Sequence, residues 1–313
     1  MSVPRADLAT TIRLGEQRLA AAGVPSPRAD AELLAALVLR CSRGELVAAT
    51  VRGDWLNPPQ LAFLTHLLDQ RVARVPLQHL TGRAPFRRLE LAVGPGVFVP
   101  RPETEVLVQA VLDELAELDE VREPAAQDGE PLVVDLCTGS AAIALAVADE
   151  APQARVVALE LDPAALVWAA RNVAEYSGGG VGPVAGQRVE LREGDVAGAG
   201  GPGGVLADLV GRVDVVVSNP PYIPDDAVPL DPEVAVHDPA LALFGGGVDG
   251  MTVPAAVVET ARALLRPGGL LLMEHADVQG AVTRALVVGA WHEVVTLPDL
   301  TGRDRVLRAR RPR

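Results

Sequence analysis

The chain of 313 residues contains no lysine; all 28 of its basic residues are arginine. With so much alanine, glycine, proline and valine alongside, this reflects the base composition of the genome and carries no functional inference. It does exclude a phosphate-gripping P-loop, whose GxxxxGK[ST] pattern needs that lysine, so the glycine-rich stretches Ser177–Gly186 and Gly198–Gly204 read as flexible surface connections. Cysteine is almost absent. Cys41 and Cys137 lie far apart with no His or Cys near either, which implies neither a disulfide nor a metal site. No apolar run approaches the ~20 residues of a membrane span, and Arg5, Asp7, Arg13 and Glu16 interrupt the apolar residues of the N-terminus. The chain therefore reads as cytoplasmic. Positive charge is scarce after the first hundred residues. Residues 1–100 hold 12 Arg against 8 Asp and Glu, net +4, and the remainder hold 16 against 33, net −17. Such a surface repels a phosphate backbone, so no direct nucleic-acid partner is expected.

What is present falls into two patterns. Residues of about 6–22, 28–40, 43–50 and 58–74 carry helical apolar spacing, broken by Pro25-Ser26-Pro27, Cys41-Ser42 and Asn57-Pro58-Pro59. A small helical domain over 1–82 follows. Residues 83–100 alternate like strands around Gly94-Pro95-Gly96 and read as a hairpin linker, ahead of a helix from Glu103 to about Val121. From residue 101 to 313, short apolar runs (Leu132–Val134, Ala154–Leu159, Val189–Leu191, Val213–Val217, Leu270–Met273) alternate with helical segments, the mark of an α/β fold with a buried sheet. The basic end, Arg308-Ala309-Arg310-Arg311-Pro312-Arg313, reads as a solvated tail.

Asn219-Pro220-Pro221-Tyr222 directly follows one of these strands. Two prolines cannot donate to a sheet ladder, so the chain leaves the strand in a stiff, extended turn that fixes groups in space. The Asn219 side-chain oxygen and the Pro220 carbonyl can accept from one planar NH2 group, and Tyr222 offers a ring face to stack on. An amide or an exocyclic amine fits. A plain strand-ending turn is the other reading of the same four residues.

The loop Leu136-Cys137-Thr138-Gly139-Ser140-Ala141-Ala142 joins a strand ending on Asp135 to an alanine-rich helix. A GxGxxG dinucleotide loop would need three glycines, and only Gly139 is there, which weakens a hydride-transfer reading. One strand later comes Glu160, where a doubly wound sheet holds a ribose hydroxyl pair, and one strand later again Asp195 with Val196 beside it. Singly, each acidic residue reads as a helix cap or a solvated loop charge. Their recurrence after successive strands resembles the S-adenosylmethionine site of class I methyltransferases.

Within that class the ordered motifs resemble one subfamily, the peptide chain release factor glutamine methyltransferases. Pro76-Leu77-Gln78-His79-Leu80-Thr81-Gly82, Phe98-Val99-Pro100-Arg101-Pro102-Glu103-Thr104-Glu105, Asp135 to Ala142 and Asn219 to Tyr222 carry the likeness. Ala240-Leu241, Gly245-Gly246, Asp249-Gly250-Met251, Leu271-Leu272-Met273-Glu274-His275 and Gly302-Arg303-Asp304-Arg305 extend it. The resemblance implies a Rossmann-like seven-stranded sheet behind a small N-terminal helical domain that recognises the protein substrate, or else merely caps the sheet. It implies S-adenosylmethionine held by Asp135, Cys137, Thr138, Gly139, Ser140, Ala141, Glu160, Asp195, Val196 and Asn219. The substrate amide would lie against Phe98, Asn219, Pro220, Pro221 and Tyr222, within the Gly-Gly-Gln loop of a release factor. A monomer without a metal is implied. Methylation of a base amine in nucleic acid, and a noncatalytic binding protein of the same fold, are the alternatives left open.

Two departures stand out. The family loop carries glycine where Cys137 and Ala141 stand here, and a Cβ at 141 would crowd the cofactor's methionine portion or demand a different backbone angle, giving slightly weaker cofactor binding. Around Val236-His237-Asp238-Pro239 the family more often shows an aromatic residue and Glu before the proline, so no substrate contact is carried over from that loop.

Overall fold

The computed structural model describes residues 6–121, 129–178 and 184–313. Part of the glycine-rich run Ser177–Gly186 thus lies outside the described residues. The chain forms two compact units, one of residues 1–83 with 229–237, the other of 84–228 with 238–313.

In the first unit, a two-residue strand pair, β1 (Ala6–Asp7) and β2 (Trp55–Leu56), accompanies helices α1 (Leu8–Ala21), α2 (Pro27–Leu39), α3 (Arg43–Arg52), α4 (Pro58–Val72) and α5 (Leu77–Thr81). Their starts are written locally. Asp7 caps α1, Pro27 occupies the first turn of α2, and the boxes Ser42/Glu45 and Asn57/Gln60 open α3 and α4. Leu8, Ile12, Leu19, Leu34, Leu64 and Leu68 form the core. Arg71 is buried in this unit with its guanidinium on Asp30 at 2.7 Å and on Glu233 at 2.7 Å.

The second unit begins with a two-stranded hairpin, β3 (Arg83–Phe86) and β4 (Leu89–Ala92). Its turn lies at Arg87-Arg88 and not at Gly94-Pro95-Gly96, where sequence punctuation places it. Arg87 takes φ +51° there, held by ion pairing to Glu150 and by its amide on Glu105 at 3.0 Å. Gly94 serves a different purpose: a Cβ on it would stand 2.5 Å from the Trp168 ring. After α6 (Glu105–Val121) come β5 (Leu132–Leu136), α7 (Ala142–Glu150), β6 (Arg155–Glu160), α8 (Pro163–Glu175), β7 (Val189–Glu193) and β8 (Val213–Ser218). Next are α9 (Pro232–His237, in the first unit), α10 (Ala240–Leu243), α11 (Thr252–Leu264), β9 (Leu265–Glu274), α12 (Gly280–Ala285), β10 (His292–Pro298) and β11 (Asp304–Arg310).

Seven strands form one sheet in the order β10-β11-β9-β8-β5-β6-β7. Its five strands from β9 to β7 are parallel, and β11 and β10 join antiparallel at one edge. Alternate residues of each strand face opposite layers. Val133, Val156, Val215 and Leu270 pack with α6 and α7, while Val134, Val157, Val216 and Leu271 pack with α11. This is the α/β sheet the sequence implies. From β5 the chain winds first toward β7 and later returns to β8 on β5's other side, so the order reverses between β5 and β8. In open α/β sheets, ligands bind at the carboxyl ends of the strands beside such a reversal.

The basic end is not a solvated tail. Arg308 and Arg310 lie within β11, where Arg310 makes a two-pronged pair with Glu114 at 2.7 and 2.8 Å and Arg308 reaches Glu293 at 3.2 Å. Composition reads such a run as solvated because it ignores alternation. Val306, Leu307 and Ala309 are buried, so 304–310 is a strand with arginines that find acidic partners at its rim.

Candidate functional site

Both singled-out loops leave the sheet at its reversal point, since Leu136 and Ser218 end neighbouring strands in register. The buried Ser218 hydroxyl donates to the Leu136 carbonyl at 2.7 Å and ties the two exits together.

The first loop is tightly wound. Cys137, Gly139 and Ala141 take φ of +61°, +60° and +63°, the left-handed region that favours glycine. Ala141 thus keeps the glycine-type angle. It has no accessible surface, its methyl belongs to the apolar layer facing α6 and α7, and its N–H donates to the Thr138 carbonyl at 3.0 Å. Its part is to shape the loop and start α7, with no methyl projecting over the loop surface. At Gly139, by contrast, an added Cβ would meet nothing within 4 Å.

Three carboxylates gather around this loop. Asp135 is buried and accepts from the Thr138 hydroxyl at 2.6 Å. Burial pushes its carboxyl up to about 7 against that hydrogen bond. Glu160, 8% exposed at the end of β6, accepts three backbone N–H groups, from Gly139 at 2.7 Å, Leu161 at 3.0 Å and Asp162 at 2.8 Å. Burial still raises its pKa. Asp195 is exposed after β7 and accepts from the Ala197 N–H at 2.8 Å, and Val196 beside it is buried in the α11 layer. Burial first, then the negative charges of Glu160 and Asp135, raise the Cys137 thiol's pKa, with Asp195 adding in the same direction. An open glycine floor and acidic groups at the ends of β5, β6 and β7 fit a cofactor carrying a cation and a hydroxylated ribose. Glu160 spends three of about four acceptor positions on the backbone and keeps capacity for a hydroxyl.

The second loop is Asn219 to Tyr222. Pro220 is buried; Asn219, Pro221 and Tyr222 are half-buried. The Asn219 Nδ2 donates to the Thr104 hydroxyl at 3.2 Å; because that hydroxyl gives its own hydrogen to Glu274, it can only accept here, which puts the amide nitrogen on that side and turns Oδ1 away from it. The Tyr222 hydroxyl donates to Oε1 of Glu274 at 3.3 Å, and its carbonyl accepts from the Gln279 side chain at 2.7 Å. Glu274 is 3% exposed, and burial pushes it up to about 7 against the neighbouring Thr104 hydroxyl and the Arg305 charge. Burial, with Glu274 beside it, raises the Tyr222 phenol as well. The following chain is clamped from behind. Ile223 donates its N–H to the Leu243 carbonyl at 2.8 Å and accepts the Gly245 N–H at 2.9 Å, and a Cβ on Gly245 or Gly250 would come within 2.1 Å of a carbonyl oxygen, that of Gly250 or of Tyr222 respectively.

Phe98 is half-buried with the Arg101 guanidinium 5.0 Å from its ring centroid, and Arg101 is itself held by Asp238 at 2.8 Å. Asp238, which stands before the proline where the family more often shows Glu, therefore anchors the cation that covers one face of this ring.

The structure thus brings together Asp135, Cys137, Thr138, Gly139, Ser140 and Glu160 in one loop system, with Asp195 at its rim and Asn219 at the adjoining strand end. Sequence reasoning missed the roles of Thr104 and Glu274. Both stand inside motifs already noted, Pro-Arg-Pro-Glu-Thr-Glu and Leu-Leu-Met-Glu-His, but nothing in spacing says that their side chains meet Asn219 and Tyr222.

The chain is similar to several known proteins. Residues 10–82 match the family model described as the PrmC N-terminal domain. A release factor glutamine methyltransferase of Streptomyces coelicolor is 47% identical over 94% of this chain and 95% of its own length. One of Mycolicibacterium smegmatis is 46% identical over 97% and 98%. Among solved structures, a protein-(glutamine-N5) methyltransferase of Alicyclobacillus acidocaldarius superimposes with a TM-score of 0.39 at 23% identity, covering 71% of this chain and all of that one. With nearly half of its residues identical along almost the whole length of such relatives, the chain belongs to the release factor glutamine methyltransferases.

Proposed function

We propose that the protein transfers a methyl group from S-adenosylmethionine to the side-chain amide nitrogen of the glutamine in the Gly-Gly-Gln segment of peptide chain release factors. The observation that carries this reading is the oriented Asn219 amide at the sheet's reversal point, beside a loop whose acidic groups and glycine floor suit that cofactor. Bound there, S-adenosylmethionine supplies an electrophilic methyl group on a sulfonium centre.

An amide nitrogen is a poor nucleophile because its lone pair is delocalised into the carbonyl. Asn219 Oδ1 and the Pro220 carbonyl, by accepting its two hydrogens, orient the substrate NH2 and favour localisation of that lone pair. Thr104 makes this possible by occupying the Asn219 Nδ2, so that the side chain presents oxygen and not nitrogen to the substrate. Tyr222 and Phe98 wall the planar amide, each ring fixed from behind, by Glu274 and by Arg101. Positioning of this kind supplies up to roughly 7 to 11 kcal/mol in favourable intramolecular cases. The same two oxygens stabilise positive charge growing on nitrogen. Once methylated, that nitrogen is acidic and releases its proton to water or a nearby acceptor.

Glu160 would hold the ribose, Asp195 the adenine edge, and the backbone of Thr138 to Ser140 the remainder. Among the described residues no helix is long and apolar enough to cross a membrane. The deciding experiment is radiolabelled methyl transfer to purified release factor, beside a Gln-to-Ala variant of its Gly-Gly-Gln segment and a pool of RNA and DNA. Label on the wild-type factor alone supports the reading, and label on nucleic acid replaces it with base-amine methylation. Asn219→Ala should lower turnover at least about tenfold while cofactor binding is retained.

A further inference from the structure

Helix α8 presents three polar side chains one turn apart, at 168, 172 and, just past its end, 176, to the outer edge of hairpin strand β4 and the turn after it. The Tyr176 hydroxyl accepts the Glu90 N–H at 2.9 Å and donates to the Glu90 carbonyl at 3.3 Å. Two residues on, Asn172 does the same for Ala92, its Oδ1 accepting the N–H at 2.7 Å and its Nδ2 donating to the carbonyl at 3.0 Å. Trp168 Nε1 donates to the Pro95 carbonyl at 3.2 Å. A side-chain rack thus takes the place of a third strand.

Asn172 differs from its two neighbours. It is 0% exposed, and its second amide hydrogen goes to the Ser140 carbonyl at 3.0 Å, in the loop between β5 and α7. Every donor it has is therefore used, and the amide has one orientation only, because reversal would set its oxygen against two carbonyls. The hairpin runs on within a few residues to Phe98, on the amide side of the site, and Ser140 belongs to the cofactor side.

We propose that Asn172 is a positioning residue for methyl transfer, joining the cofactor loop at Ser140 to the hairpin that leads to Phe98, so that both sides of the reaction centre are set by one buried side chain. This rests on reading 137–141 as the cofactor loop. It places a requirement on a residue that touches neither reactant, and it couples the two sides: a ligand that orders the loop also orders the hairpin.

The test uses the full chain, with S-adenosylhomocysteine as the probe and calorimetric affinity and amide exchange of residues 89–99 as readouts. Variants are Asn172→Ala, Asn172→Asp and, as a control, Val213→Ala, which opens the apolar layer on the other face of the sheet, at the start of β8. The isosteric Asn172→Asp, which faces two carbonyls with a carboxylate, is read where Asn172→Ala does not yield folded protein. In the wild type, ligand should slow exchange across 89–99. Both Asn172 variants should lose at least about tenfold in affinity, together with that ligand-dependent protection. Val213→Ala should melt earlier yet bind as the wild type does. Asn172 variants that bind within twofold of wild type and keep the protection overturn the proposal. No binding to the wild type itself overturns the cofactor-loop reading first, and this assignment with it.

Discussion

Replacing Glu274 by glutamine should change how stability depends on pH, by an amount the structure sets. The carboxyl is 3% exposed at the end of β9, and burial raises it from the ordinary glutamate value of 4.5 to about 7. Because the folded chain holds this proton more tightly than the unfolded chain, its contribution is fully present below pH 4.5 and is lost as pH rises through 7. At about 1.36 kcal/mol for each pH unit between the two values, the loss comes to roughly 3 kcal/mol. Glutamine keeps the volume and an acceptor for the Tyr222 hydroxyl but does not titrate. Asp135 and Glu160 are shifted in the same direction, so the variant must be compared with wild type at each pH, where their effects cancel. Urea unfolding of both proteins from pH 5 to pH 8.5 should show the variant gaining roughly 2 to 3 kcal/mol relative to wild type, most of it before pH 7.5. A difference that stays constant across that range would refute the argument, because Glu274 would then ionise alike in both states.

Thr104→Val removes the acceptor for the Asn219 amide and should lower kcat about tenfold with cofactor affinity unchanged, as steady-state and binding measurements would show. Gly250→Ala drives a Cβ to 2.1 Å from the Tyr222 carbonyl at a residue with φ +74°, so both melting temperature and turnover should fall; unchanged turnover would mean the turn tolerates displacement. Ala141→Gly should change stability by no more than about 1 kcal/mol. Relief of left-handed strain, about 1 to 2 kcal/mol, is offset by unfolded-state entropy of about 0.4 to 1 kcal/mol and by a lost buried methyl of about 0.8 kcal/mol. Its affinity for S-adenosylmethionine should match wild type, against the weakening that the sequence alone suggests.

The parallel sheet and the four long N-terminal helices were legible because apolar runs and caps are local signals. Cys41-Ser42 and Asn57-Pro58-Pro59 mark breaks, and the structure starts α3 and α4 directly after Ser42 and Asn57. The hairpin turn was not, since Gly94-Pro95-Gly96 is the stronger turn signal and yet Gly94 is small for the sake of Trp168. Nor was the strand over 304–310, where paired arginines hide an alternation. Of the site, the two loops and their acidic residues could be read from order along the chain. Thr104, Glu274 and Asn172 could not, because each acts through a contact with a residue dozens of positions away, and a lone threonine, glutamate or asparagine in a motif says nothing of its partner.

The nine residues 229–237 belong with the N-terminal helices although they arise far along the chain, and this bears on any attempt to treat those helices as an interchangeable part. Excised at residue 83, they would leave Arg71 with Asp30 alone and would strip Arg74 of Glu233 and Asp231. Uncovering a buried ion pair in this way costs about 3 to 5 kcal/mol, a large share of the roughly 5 to 15 kcal/mol that holds a domain folded. A graft of these helices onto another methyltransferase would have to carry two pieces of sequence, some 145 residues apart, and so would recombination between relatives in nature.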